Sequence, residues 1–357
     1  MLGDISGVYK SPTPNATEPL IVKFLWVFLR RERGGCKGVP NDALNAPFEK
    51  FFVFDIEVEL IWGFIDYRMN YLTTLKRIVP PVRRIIPKLF TILDRAEQPV
   101  TWGILGHCML DKCQCVNGVP HPDMPRGSYS WLNRDWYAPD PCTSLEEDPA
   151  FYGKDIVDNI IDYVRESSVT HDIACHSFSH QIFGDPGCTK EVAEAEVKRC
   201  VELLRDNYGI KPEVFIFPRD SVGHLDILRK YNFIAFRGPP PGLPLVKLII
   251  PPLVNPKIEK GLVNVPSSMC FGSRVLPIEL LYIIGNTSIL RSAKHKGILH
   301  ISTHLINLVL WPSEKALRQL FKLLMMRKRR QIPTATISQI AKIVLAKKND
   351  EGRQSRG

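Results

Sequence analysis

Two histidines four positions apart are the residues of this chain best suited to chemistry: His176 and His180, in the stretch His171-Asp172-Ile173-Ala174-Cys175-His176-Ser177-Phe178-Ser179-His180. On a helical turn, residues i and i+4 share a face, so both imidazoles can reach one ion, and neutral imidazole suits zinc and its neighbours. The competing reading is a pair of ordinary surface or core histidines in register. Far upstream, the apolar run Phe51-Phe52-Val53-Phe54-Asp55-Ile56-Glu57-Val58-Glu59 ends in carboxylates whose burial without a partner is costly. On a strand, alternate side chains share a side, so Asp55 and Glu57 point together while Ile56 packs the other way. Two carboxylates and two imidazoles at one mouth suit amide or ester hydrolysis: one carboxylate joins the histidines on a metal and the other stays free as a base. A leaving amine then needs a proton, which His304, ending an apolar strand, is placed to supply.

The elements that must position these groups alternate. A strand at Phe51 to Glu57 is followed by helical periodicity from Leu72 to Glu97, split by Pro80 and Pro81, and by a strand from Pro99 to Gly106. A stretch without periodicity, His107 to Asp148, is far longer than an ordinary connection and marks a functional loop or disorder. Its Trp131 and Trp136 can stack on a sugar face or cap the core. A helix at 155–167, the strand His171 to Cys175, and an amphipathic helix capped by Thr189 and stopped by Gly209 come next. Strand Val214 to Phe217, helix Leu225 to Tyr231 and strand Phe233 to Phe236 precede a Pro-rich break through Pro256. Strand Gly297 to Ser302, helix Ser313 to Arg327, strand Thr334 to Ile337 and helix Ser338 to Ala346 close the pattern. Such alternation means a mostly parallel sheet with helices outside it, and in a closed barrel the catalytic groups sit at the C-terminal strand ends. Asp55 and Glu57, His176 and His180, Pro218-Arg219-Asp220, and His300 and His304 all fall there.

The 357 residues, 45% of them hydrophobic, accommodate one α/β barrel with extensions: residues 1–45 as an N-terminal extension, 46–346 as the barrel and 347–357 as a basic disordered tail. Net charge is +10, concentrated in Arg327-Lys328-Arg329-Arg330 and Lys347-Lys348. With no aromatics interleaved, this reads as a solvated helix end and tail, and no nucleic-acid partner is expected. Nine cysteines, an odd number without a framework, suggest reduced thiols and a cytoplasmic setting. The run Leu20 to Leu29 contains Lys23 and is too short to span a bilayer; peripheral membrane association through it or through the basic C-terminus is the alternative. His107, Cys108, Cys113, Cys115 and His121 lie close together, but the Cys-x-Cys pair has no matching second pair, so a structural zinc there is the weaker reading.

The chain resembles the polysaccharide deacetylase family, carbohydrate esterase family 4, in four blocks over about residues 50 to 340. Val53-Phe54-Asp55-Ile56-Glu57 is similar to the family's Thr-Phe-Asp-Asp-Gly motif, and His176-Ser177-Phe178-Ser179-His180 to its His-Ser/Thr-x-x-His motif. Phe217-Pro218-Arg219-Asp220 stands where the family has an Arg-Pro segment, and Leu299-His300-Ile301-Ser302-Thr303-His304 where it has a strand ending in a catalytic histidine. The resemblance implies a distorted, incomplete (β/α) barrel of about seven parallel strands, one divalent metal ion, commonly Zn2+, and removal of an acetyl group from an N-acetylated sugar or glycan. Carried over, Asp55 is the base, Arg219 its charged partner, and His176 and His180 are metal ligands. His304 is the acid, preferred to His300 because it ends the strand. Since Ile56 intervenes where the family has adjacent carboxylates, the third ligand falls to Glu57. A non-sugar amide or cyclic imide as substrate, or a catalytically silent barrel binding glycan through Trp131 and Trp136, are the alternatives.

Overall fold

Phe51–Val58 (β1) is the strand the fold is built around, an aromatic and β-branched run whose residues from Phe52 onward are all buried, the signature of a parallel strand covered on both faces. The computed structural model describes residues 48–242, 244–273 and 276–354. The chain divides into units Met1–Ala46 and Pro47–Gly357; the extension read at 1–45, with the apolar run Leu20 to Leu29, lies outside the described residues.

After β1 come α1 (Met69–Ile78) and α2 (Val82–Ala96), separated at the two prolines as expected, then β2 (Thr101–Ile104) and the small hairpin β3 (Cys115–Val116) and β4 (Val119–Pro120). Helix α3 (Lys154–Glu166) leads into β5 (Asp172–Cys175) and α4 (Lys190–Tyr208). The Thr189 hydroxyl accepts the Val192 N–H to cap α4, and Gly209, at φ 71°, ends it. There follow β6 (Val214–Ile216), α5 (Leu225–Lys230), β7 (Ala235–Arg237), β8 (Lys257–Glu259), β9 (Leu262–Asn264), β10 (Met269–Phe271) and α6 (Ile278–Ser292). The chain ends with β11 (Ile298–His304), α7 (Ser313–Arg329), β12 (Thr334–Ala335) and α8 (Ile337–Gln354).

The sheet runs β10-β11-β1-β2-β5-β6-β7-β9-β8, with β12 beside the first half of β1. Every pairing is parallel except that of the edge strand β8 with β9. This is a distorted, incomplete (β/α) barrel as expected, of ten strands rather than about seven, with edges at β10 and β8 rather than closure. Because the strands are parallel, their C-terminal ends form one rim. Glu57 lies opposite His304 on β11 and Gly103 on β2, Ile104 lies opposite Cys175, and Ile216 lies opposite Arg237.

Two expectations about the C-terminal part change. Helix α8 continues to Gln354, through most of the stretch read as a disordered tail; buried Ile337, Ile340, Ala341 and Val344 anchor its first half, and each further residue adds a hydrogen bond to an existing helix. The basic run at 327–330 is partly consumed internally. Arg327 donates to the Ala96 carbonyl at 2.5 Å, and Lys328 pairs with Glu97 at 2.9 Å, which ties the end of α7 to the end of α2. Among the described residues, no helix is long and apolar enough to cross a membrane.

Candidate active site

The period of two in β1, carried one step beyond the strand, places Asp55, Glu57 and Glu59 in a row, each no more than 1% exposed. Asp55 is the deepest: its carboxylate lies 2.6 Å from His300 Nε2 and accepts from Arg237 Nη1 at 2.7 Å. His300, also fully buried, is held from behind, its Nδ1 lying 2.9 Å from the Pro266 carbonyl oxygen. Glu57 shares the same Arg237 Nη1 at 2.6 Å and lies 3.3 Å from His176 Nε2 and 3.7 Å from His304 Nε2. Glu59 is nearest the rim. One of its oxygens lies 3.1 Å from His176 Nε2 and 3.0 Å from His180 Nε2, and the other meets His304 Nδ1. A Cβ at Gly63 would fall 2.0 Å from Glu59 Oε1, so the absence of a side chain there makes room for this carboxylate.

The His176–His180 segment is a turn beyond β5 rather than the helix turn that the spacing suggested, with Ser177 at φ 63° and His180 at φ 69°. The rings still converge, their centroids 5.2 Å apart. A buried acid on α4 builds this turn. Glu196 accepts the backbone N–H groups of Phe178 (2.9 Å) and Ser179 (2.6 Å) on one oxygen and the Ser179 and Tyr137 hydroxyls on the other. Burial raises its pKa, and these hydrogen bonds only partly offset that. His176 Nδ1 donates to the Ile216 carbonyl at 2.8 Å. A neutral ring held that way turns a bare Nε2 towards Glu59, the arrangement of a metal-ligating histidine.

Arg237 joins Asp55, Glu57 and Asp220, reaching Asp220 at 2.9 Å, while His304 lies against Glu57 and Glu59. Burial works to raise the Glu57 carboxyl, but Arg237 and the nearby histidines bring it down to about 2. Burial likewise opposes ionisation of Glu59, yet the neighbouring His304 and His180 hold it well below the usual carboxylate range. For His304, burial disfavours the charged ring, but Glu57 and Glu59 outweigh it and keep its pKa well above that of a free imidazole. The convergence of Glu59, His176 and His180 fits a divalent cation.

The structure places several of the residues singled out in the sequence differently from expectation. Glu57 was expected as the third ligand, but the oxygen that reaches both histidines belongs to Glu59, one strand period further on. Asp55 was expected as the base, but His300 and Arg237 enclose it behind Glu57. Arg219 does not meet Asp55: its φ of 55° turns the side chain to Asp66, at 2.5 Å, and over the Tyr67 ring. The guanidinium that holds the strand carboxylates is that of Arg237, at the end of β7. Of the two histidines on β11, His300 is buried and the His304 side chain is 29% exposed, at the rim. Trp136 is fully buried and donates to the Ser179 carbonyl at 2.9 Å, so it packs the loop onto the clamp instead of facing a sugar. Trp131 is 49% exposed, bonded to Asp185. His171 and His224 make structural contacts, with the Val100 N–H and the Cys188 carbonyl.

Residues 80–233 match the polysaccharide deacetylase family. The resemblance seen in the motifs is thus to this family, and the matched segment takes in His176, His180 and Glu196 but not Glu57, Glu59, Arg237 or His304. Among solved structures, a proposed polysaccharide deacetylase from Mycobacterium smegmatis shares the fold, with a TM-score of 0.53 at 15% identity over 87% of this chain and 96% of that one. A mutant of peptidoglycan deacetylase PdaC from Bacillus subtilis aligns at 0.44 and 9% identity, over 87% of this chain and 100% of the other. A CE4 family pseudoenzyme from Bacillus anthracis aligns at 0.44 and 10%, over 83% and 66%. A search of curated proteins gives no match.

Proposed function

We propose that this chain is a metal-dependent hydrolase that removes an N-acetyl group from a sugar or glycan. The observation that carries the reading is the meeting of Glu59, His176 and His180 within 3.0–3.1 Å beside a rim histidine and a second, guanidinium-held carboxylate. Glu59, His176 and His180 would hold the ion. When bound, a divalent ion there acts as a Lewis acid on the amide carbonyl and lowers the pKa of water. The remaining steps belong to the chain. Glu57, beside the clamp and ionised, takes the proton of the attacking water, and Arg237 fixes its orientation through the shared Nη1. His304 donates a proton to the departing amine. Asp55 and His300 hold Arg237 and the strand from beneath. The family match and the exposed Trp131 support an acetylated glycan as substrate.

The test is metal content and acetate release across a panel of N-acetylated sugars and cyclic imides. Wild-type protein should release acetate from a sugar, and Glu59→Gln should lose the rim ion and turnover, while Glu57→Gln should lose turnover and keep the rim ion. Turnover that persists in Glu57→Gln, or ring opening of the imides without acetate release from any sugar, would rule the reading out.

A further inference from the structure

The long loop after β2 contains a second convergence of ligating atoms, made of residues other than those of the rim clamp. His107 Nε2, His121 Nε2 and Asp140 Oδ2 form a triangle with sides of 3.0, 3.0 and 3.2 Å. All three side chains are fully buried. The Cys113 sulfur sits beside the triangle, 3.4 Å from Asp140 Oδ2 and 3.8 Å from His121 Nε2. Local structure explains the meeting. Asn117 and Gly118, at φ 52° and 78°, form the tight turn of the β3–β4 hairpin, and its pairing, continued by the His121 N–H to the Gln114 carbonyl at 2.7 Å, brings Cys113 and His121 together.

Hydrogen bonding alone does not satisfy this triangle. His107 Nδ1 faces the Phe151 carbonyl at 3.3 Å, which calls for a proton on that nitrogen. In the neutral ring, Nε2 is then a bare acceptor set 3.0 Å from a carboxylate oxygen that is also an acceptor. A single proton on His121 Nε2 can serve one of the two and not both. A cation at the centre serves all three. An ion about 1 Å above the plane of the three atoms would be about 2.0 Å from each, the bond length of zinc to nitrogen and carboxylate oxygen. The sulfur distances are close to the roughly 3.5 Å expected between sulfur and a neighbouring ligand atom in a tetrahedral site. The other Asp140 oxygen is oriented by the Tyr152 hydroxyl (2.8 Å) and the Cys142 N–H (3.0 Å), the outer support that ligating carboxylates usually have.

We propose that His107, His121, Asp140 and the Cys113 thiolate form a second, structural site for a divalent ion of the zinc class. The ion would pin the loop between β2 and α3, and so the surroundings of the rim. The same loop carries Trp136 and Tyr137, which bond the clamp turn and Glu196, and the His107 ring packs on Trp62 at 4.0 Å, three residues beyond Glu59.

The experiment counts metal by elemental analysis in full-length wild-type protein and in the double variant His176→Ala/His180→Ala, which lacks the rim site. Wild type should carry about two equivalents and the double variant about one. Adding His121→Ala to the double variant should remove the remaining ion and lower the melting temperature. Because that change can disturb folding, the cobalt form of the double variant gives a second readout. It should show a thiolate-to-cobalt charge-transfer band that Cys113→Ser abolishes while the fold is retained. A double variant without bound ion would overturn the proposal, and a band that survives Cys113→Ser would overturn the assignment of the thiolate. One equivalent in wild type and double variant alike would instead sink the rim site and leave this one standing.

Discussion

Replacing Arg237 by methionine probes the electrostatic centre of the site. The guanidinium is 4% exposed and makes charge-assisted contacts of 2.7, 2.6 and 2.9 Å to Asp55, Glu57 and Asp220. Methionine keeps much of the stem volume but leaves these carboxylates facing one another. Removing one partner from a buried ion pair costs about 3–5 kcal/mol, which for a chain of this size is a fall of about 4–8 °C in melting temperature. The pH dependence has a defined sign. Burial raises the pKa of Glu57, but Arg237, the first of the groups that oppose it, helps to bring it from 4.5 to about 2. A depressed carboxylate contributes stability that is complete above its unfolded pKa and is lost as pH falls towards the folded one. The advantage of wild type over Arg237→Met should therefore be full at pH 7 and shrink as pH falls from about 4.5 towards 2. Chemical unfolding of chelator-treated proteins at intervals from pH 7 to pH 3 measures it, with acetate release as the functional readout. Arg237→Lys should recover part of the stability, since one ammonium cannot reproduce the fork. A variant within about 1 kcal/mol of wild type at pH 7, or an advantage that grows as pH falls, would refute the reasoning.

Three further outcomes follow from the geometry. Glu196→Gln, which disturbs the acceptor of four hydrogen bonds at the clamp turn, should weaken metal binding at the rim by about 10–100-fold in a competition titration; unchanged affinity would show that the turn holds itself. Burial lowers the pKa of His171 from 6.5 to about 4, so its neutral ring should contribute up to about 3 kcal/mol that is present above pH 6.5 and lost as pH falls towards 4; the stability difference between wild type and His171→Gln should follow that window. Trp136→Ala should destabilise the protein by about 3–5 kcal/mol, whereas Trp131→Ala should leave stability nearly unchanged and raise KM for a glycan substrate; unfolding curves and steady-state kinetics separate the two.

The parallel framework was legible because β1, β5 and β11 are apolar runs too short to be helices, and because Thr189 and Gly209 punctuate α4. Segments 257–271 and 278–292 were not legible. The first contains three-residue strands with little room for a pattern, and α6 carries apolar residues around much of its circumference, which blurs the helical period. At the site, the two histidines of the turn could be picked out by their spacing and motif, and His304 by its place at the end of an apolar strand. Glu59 could not be assigned without knowing where β1 ends, although it continues the alternation of Asp55 and Glu57. Arg237 stands at the junction of a short strand and a proline-rich break, where sequence gives no hint of direction, and Arg219 drew attention by its neighbour Pro218. Glu196 carried a signal that could have been used: an acid at a core-facing position of an amphipathic helix, between buried Ala193 and Val197.

The most direct test is a crystal structure of the metal-loaded protein with anomalous diffraction at the zinc edge. A peak bonded to Glu59, His176 and His180, with Glu57 adjacent but unbonded and still paired with Arg237, is the predicted result. A rim ion bonded to Glu57 or Asp55 in place of Glu59, or no peak between His176 and His180, would contradict it.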